Sequence, residues 1–373
     1  MKRNILILLM ASVTIANTYA QKRNLVIGTY TKNGKSEGIY VYEFDSQTGK
    51  ATYKNKATGV SNPSYLDISK DGKFVYAANE NKEGGVSAFS FNQVTGALQL
   101  LNSQPTHGSS ACYIDIDNNR KFVFSGNYGS GNLVVYPIQK DGSLAKAAQI
   151  IQHTGSSADK SRQLSPHVHS TILSPDQKFL LVSDLGTDKI STNTFDIKNS
   201  KQPLTPADPP FVTAAPGSGP RHLDFHPNSR FVYALMEMTG DVIVYSYRNG
   251  AMDAIQTISM LTPDFKGKTG AADIHVSPDG KFVYASNRGD ANEIVIFAID
   301  QSGKLTVAGR QSTLGKTPRN FVIDQGGKFL LAANQDSDQV VIFKRDQLTG
   351  QLTDTGERID VGMPVCLKLG AYK

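Results

Sequence analysis

The fold predicted for this chain is all-β, a ring of seven four-stranded antiparallel blades, on three observations. One strand-forming phrase recurs six times, a Gly-containing hairpin follows it at a regular distance, and complementary half-repeats stand at the two ends. The phrase is a basic residue, Phe, then apolar residues closing on a polar one. It opens at Lys73-Phe74, Lys121-Phe122, Lys178-Phe179, Arg230-Phe231, Lys281-Phe282 and Lys328-Phe329, with the Phe positions 48, 57, 52, 51 and 47 residues apart. A strand-built repeat near 50 residues is a propeller blade. The 373 residues are 39% hydrophobic and 19% charged, with 33 Gly and 16 Pro, as expected of a globular chain of short strands and tight turns. The absence of Trp excludes Trp-Asp repeats.

Taken in order, residues 1–20 read as a secretory signal. Lys2 and Arg3 are followed by an apolar run and then by small residues at Thr18-Tyr19-Ala20, so a mature chain beginning near Gln21 is expected in the periplasm or outside the cell. The apolar run is too short to span a membrane. Loss of the two basic residues takes the net charge from +6 to +4, with no cluster of like charges of the kind nucleic acid requires. Residues 21–373 are then expected to form one propeller domain, monomeric and without a membrane span. Cys112 and Cys366 are expected to be buried free thiols, since two cysteines make no disulfide framework.

Within each repeat an inner strand A leads through a Ser-Pro-Asp-Gly type of turn into strand B, which is the phrase. Strand C is a continuous apolar run such as Ile294-Val295-Ile296-Phe297, suited to a sheet covered on both faces. Pairs such as Thr48-Gly49, Asp141-Gly142 and Ser302-Gly303 mark the hairpin into strand D. Seven A strands start near Pro63, Ala111, Val168, Pro220, Ala271, Pro318 and Pro364, and the last has no B after it. Leu25 to Tyr30 and Gly38 to Phe44 supply the missing B and C, so the terminal strands share one blade and close the ring.

Antiparallel connectivity puts the starts of A and the ends of B on one face, around the mouth of the axial channel, where a ligand site is expected. Aligning the A strands sets Ser64, Cys112, His169, Arg221, Ala272 and Arg319 at one equivalent position. The B ends add Glu237 and Arg288, together with Asn127, Asp184, Asn287 and Gln335. A carboxylate among arginines stays ionised, and a cationic mouth attracts an anionic substrate. His167 and His169 share one strand face as a metal pair would, but no persuasive further ligands accompany them, so no metal is expected. Asp67, Asp115, His222, Asp224, Asp273 and His275, further along A, read as the lining of a wet channel. No Gly-x-Ser-x-Gly stands on the strand-to-helix turn that a serine elbow requires, and there is no dinucleotide-binding Gly-x-Gly-x-x-Gly.

Gly28-Thr29-Tyr30-Thr31, Pro166-His167-Val168-His169, Pro220-Arg221-His222, the run from Phe231 to Glu237 and Ser286-Asn287-Arg288-Gly289 resemble the seven-bladed lactonase propeller family. That family includes 6-phosphogluconolactonases and carboxy-muconate lactonizing enzymes. The resemblance spans the whole mature chain and implies neither metal nor organic cofactor. It implies catalytic roles for His169, Arg221, Glu237 and Arg288. His167, Arg319, Asn127, Asp184, Asn287 and Gln335 are expected to bind substrate. The function expected is hydrolysis of an anionic sugar-acid lactone by general acid/base catalysis, a hydrolase of carbohydrate metabolism. The alternatives are a muconate-type lactonizing cycloisomerase and a non-catalytic propeller that binds a glycan or protein.

Overall fold

The computed structural model describes residues 22–370; the expected signal segment and Gln21 lie outside the described residues. Seven four-stranded antiparallel sheets form the ring. Their inner strands are Pro63–Ile68, Ala111–Ile116, Val168–Leu173, Pro220–Phe225, Ala271–Val276, Pro318–Ile323 and Pro364–Leu369. The last of these pairs with Lys22–Thr29, setting Leu25 opposite Leu369 and Ile27 opposite Leu367, so the closing blade is built from both terminal segments as the half-repeats predict.

The recurring Phe and the recurring hairpin Gly prove to be two halves of one contact. Phe74, Phe179, Phe231, Phe282 and Phe329 each lie against the C–D hairpin glycine of the next blade, Gly142, Gly250, Gly303, Gly350 and Gly49. Those glycines have φ between +74° and +90°, a region a side chain adopts only with strain, and an added Cβ would collide with the ring. In three blades the contact is completed by Tyr76, Tyr233 and Tyr284, whose hydroxyls donate to the carbonyls of Gly142, Gly303 and Gly350 at 2.9, 3.0 and 2.7 Å. The phrase therefore repeats because it is the blade-to-blade joint.

The A–B turns are tied by Ser69, Ser174 and Ser277, each accepting from the backbone N–H of the Phe that opens strand B at 3.0 Å. In two blades Asp117 and Asp324 take over that role. Both cysteines are free and buried. Among the described residues no helix is long and apolar enough to cross a membrane.

At the start of the inner strand every blade breaks register against strand B. The shifts fall at Pro63/Tyr65, Ala111/Tyr113, Val168/Ser170, Pro220/Leu223, Ala271/Ile274 and Pro318/Asn320, and at Gly28/Thr29 in the closing blade. A β-bulge inserts one residue without a partner and re-aims its side chain. The bulged positions carry Ser64, Cys112, His169, Arg221, Ala272, Arg319 and Val365, which is how residues from seven different blades come to surround one axis.

Candidate active site at the channel mouth

Beneath the face that carries these bulges lies a cavity of about 220 Å³ lined by Glu80, Cys112, Tyr128, Arg162, His169, Glu237, Arg288 and Arg319. This is below the roughly 300–1,000 Å³ of pockets for drug-sized ligands and suits a sugar-sized metabolite. Glu237 is its centre. Its Oε2 accepts from Arg221 Nε at 2.8 Å and lies 3.2 Å from Arg288 Nη2, while Oε1 accepts from Arg162 Nη2 at 2.7 Å. Burial alone would raise the pKa of this carboxyl, but the charges of Arg288 and Arg221 outweigh it and hold Glu237 well below the usual carboxylate range.

His169 Nε2 stands 3.9 Å from the same Oε2, and its Nδ1 faces Cys112 Sγ at 3.9 Å. Burial, reinforced by Arg221, keeps this imidazole neutral. Burial also pushes the Cys112 thiol up to about 12, so it stays protonated and is no nucleophile at neutral pH. On the other wall Arg319 Nη2 reaches Glu80 Oε2 at 3.4 Å, and Tyr30 donates to that same oxygen at 2.7 Å. Arg288 anchors Nε on the Gly270 carbonyl at 2.8 Å. Four guanidinium groups face two carboxylates, leaving two positive charges in excess around the cavity.

His169, Glu237, Arg288 and Arg319 thus line the cavity, as the strand order leads one to expect. Arg221 is placed differently. It is buried behind Glu237, with Nη1 donating to the Ala272 carbonyl and to His222 Nε2, so it positions Glu237 and is not among the cavity-lining residues. Because a carboxylate only accepts, Asp273 at 2.7 Å fixes the proton of His222 on Nδ1. Nε2 is thereby left as an acceptor for Arg221. His167 backs the wall, its ring stacked on Tyr128 with centroids 4.4 Å apart.

Of the six expected substrate-binding residues only Arg319 lines the cavity; besides His167, four others do not reach it, three of them held to the backbone. Asn127 Nδ2 donates to the Thr106 carbonyl, Asp184 accepts from the backbone N–H groups of His167 and Gly186, and Asn287 accepts from Gly270 N–H. They clamp the D-to-A connections. Side chains alternate along a strand, so where a B strand reaches the mouth it does so through the residue after its end; Leu185, after Asp184, is buried instead. That position supplies Tyr30, Glu80, Tyr128, Glu237 and Arg288; the sequence reading missed the first three, and the one-residue shift is the signal that would have found them. Gln335 occupies the same position but turns its amide outward to Asp336.

The aspartates below the mouth do more than face water. Asp115 accepts from Leu173 N–H, Asp224 from Val276 N–H and Asp273 from Phe321 N–H, each joining its inner strand to that of the next blade. They border a second cavity of about 190 Å³ among the inner strands, also lined by the stacked rings of Tyr65 and Tyr113 with His222 edge-on to both. Among the described residues no group of three His, Cys, Asp or Glu side chains is arranged to hold a metal ion.

This lower cavity gives a pH-dependent stability with a defined sign. His275 Nε2 lies 3.0 Å from Asp273 and Nδ1 3.8 Å from Asp224, with the Phe321 ring edge-on at 4.9 Å. Burial alone would lower its pKa, but the two carboxylates raise it to about 10. The folded state then holds a proton that the unfolded chain releases near 6.5, so this contribution is full below pH 6.5 and fades as pH rises through about 10. The melting-temperature advantage of the wild type over His275→Gln should shrink across that window. An advantage constant from pH 6 to 10 would contradict the assignment.

Comparison with known proteins places this arrangement. A family model described as Lactonase, 7-bladed beta-propeller matches residues 24–369. A 6-phosphogluconolactonase of Bacillus subtilis is 37% identical over 346 residues, covering 92% of this chain and 97% of the relative. The crystal structure of a putative 6-phosphogluconolactonase from Bacteroides fragilis superposes with a TM-score of 0.90 at 43% identity, covering 94% of this chain and 99% of that one. A periplasmic gluconolactonase of Pseudomonas aeruginosa also gives 0.90, at 38% identity, covering 94% of this chain and 100% of its own.

Proposed function

The chain belongs to the seven-bladed β-propeller lactonase family, and from that premise we propose how its channel mouth opens a sugar-acid lactone. It is a lactone-hydrolysing enzyme, and the observation that carries the mechanism is the Glu237 carboxylate set beside neutral His169 in a pocket with excess positive charge. His169 and Glu237 hold a water between them. As its oxygen adds to the lactone carbonyl, its proton passes to Glu237, and Arg288 and Arg319 stabilise the developing oxyanion. Collapse of the tetrahedral intermediate breaks the bond from the carbonyl carbon to the ring oxygen. Glu237 returns its proton to that oxygen, and the new carboxylic acid loses its own to solvent.

The low basicity of Glu237 at rest is consistent with this role. Guanidinium groups that turn toward the oxyanion withdraw from the carboxylate, so its proton affinity rises as the proton arrives. Lactones also open spontaneously in water, which keeps the demanded acceleration modest. Two excess positive charges favour a substrate bearing an anionic group.

Residues 1–20 support export to the periplasm or beyond, the compartment named for the Pseudomonas relative. One experiment addresses both points. The species recovered from the exported fraction should have an intact mass corresponding to a start near Gln21 and should hydrolyse aldonolactones above the spontaneous rate, with anionic lactones preferred. Hydrolysis no faster than the uncatalysed reaction, with turnover of unsaturated dicarboxylates instead, would assign the pocket to cyclisation.

A further inference from the structure

We propose that Arg162 is a specificity-determining gate that rests on Glu237 in the empty site and transfers to the anionic group of an incoming substrate. The inference builds on the lactonase reading and adds to it the recognition of a phosphate or carboxylate distal to the lactone ring.

Arg162 differs from the other guanidinium groups in how it is carried. Arg221 and Arg319 sit on inner strands and Arg288 directly follows a B strand, whereas Arg162 belongs to the irregular connection 153–167 that folds over the mouth. Its side chain is 42% exposed, against 1%, 17% and 16% for Arg221, Arg288 and Arg319. The backbone beneath it is nevertheless pinned. Gln163 donates to the Leu185 carbonyl and to Asp188, and Asp159 accepts from the N–H groups of Ser161 and Arg162. A swing of the side chain is therefore enough, and no loop has to move.

The contacts make that swing inexpensive. Glu237 already has Arg221 and Arg288 on Oε2, and Arg162 is its third guanidinium, the solvent-facing one on Oε1, sharing Nη2 with the Tyr128 hydroxyl. Arg162 is the partly exposed member of this pair, already open to solvent where Glu237 is not, so an incoming substrate anion can take over its guanidinium while Arg221 and Arg288 keep Glu237 paired. A phosphate or carboxylate accepts its planar fork in a bidentate manner, which an ammonium cannot match. The transfer also uncovers Oε1, the oxygen of Glu237 that neither Arg221 nor Arg288 engages, and frees it to accept the proton of the attacking water. An anionic substrate thus arms the base by binding, whereas a neutral lactone leaves the latch closed.

The test compares wild type, Arg162→Gln and Arg162→Lys on a phosphorylated aldonolactone, a carboxylate-bearing aldarolactone and a neutral aldonolactone. Calorimetric binding of the corresponding open-chain acids is measured in parallel. In Arg162→Gln, kcat/KM should fall by about 10- to 100-fold for the anionic lactones, mainly through KM and with Lys restoring part of the loss, whereas for the neutral lactone it should not fall and kcat should rise, since the latch on the base is gone. Whichever anion loses more identifies the one the pocket is built for. The acid limb of the kcat/KM profile, which reports the free enzyme, should move to higher pH once a guanidinium is taken from Glu237. An equal fall on charged and neutral lactones, or none on any of them, overturns the gate and leaves the lactonase reading standing. Should the wild type hydrolyse none of the three, that reading fails by itself and the binding arm still decides. A preference for the phosphorylated or dicarboxylic acid that Arg162→Gln abolishes upholds the gate, and equal binding by both proteins overturns it.

Discussion

Replacing Glu237 with Gln is expected to cut turnover per folded molecule by about 10²- to 10⁴-fold, the usual contribution of a positioned acid/base group. Size and much of the hydrogen bonding survive the change; the charge and the proton affinity do not. Stability should fall as well, because Arg221, Arg288 and Arg162 all lean on this carboxylate. Removing one member of a buried ion pair costs about 3–5 kcal/mol, and the retained amide oxygen keeps the loss toward the low end. The two effects separate when kcat is divided by the folded fraction measured in the same buffer. A variant that is folded and fully active would remove Glu237 from the chemistry and leave His169 as the acid/base group.

Ending the chain at Val361 should be the most damaging change to the fold. It deletes the inner strand Pro364–Leu369 and with it the buried Val365, Cys366 and Leu367. Each large apolar side chain so lost removes about 1.5–3 kcal/mol of burial. The strand Lys22–Thr29 would become an open edge beside the axis, with its ladder groups unpaired. The expected outcome is a protein without a cooperative melting transition that aggregates on expression. A truncated form as soluble and as thermally stable as the full chain would show that closure of the ring is dispensable.

The seven inner strands were legible because Pro and Ser-Pro-Asp-Gly turns punctuate them, and the closing blade because a strand A without its B can be matched to a B without its A. Glu237, Arg288, His169 and Arg319 were legible at the mouth because antiparallel order fixes which strand ends share a face. The direction of each side chain was harder to read. Asn127, Asp184 and Asn287 were placed one residue out of phase, since a strand end reveals its location before its pleat. Arg221 was aligned correctly, but the bulge that carries it left no trace in the sequence, and neither did its burial behind Glu237. Arg162 was missed altogether: the connection 153–167 has no periodicity, and only its folded path brings the guanidinium to the carboxylate.

The register break at the head of every inner strand has a consequence for how such an enzyme diverges. In an ordinary strand a one-residue slip turns every following side chain to the other face, so chemistry and register change together. Here the seven bulged residues stand outside the ladder, and each works as an independent socket. Cys112, His169 and Arg319 fill three with groups that face the cavity, and Arg221 fills another with the support for Glu237. Ser64, Ala272 and Val365 fill three with small or apolar side chains that face no catalytic demand. Exchanging what a socket holds alters the reagent displayed on the axis while the blade beneath keeps its pairing, so new substrates can be explored residue by residue on an unchanged wheel.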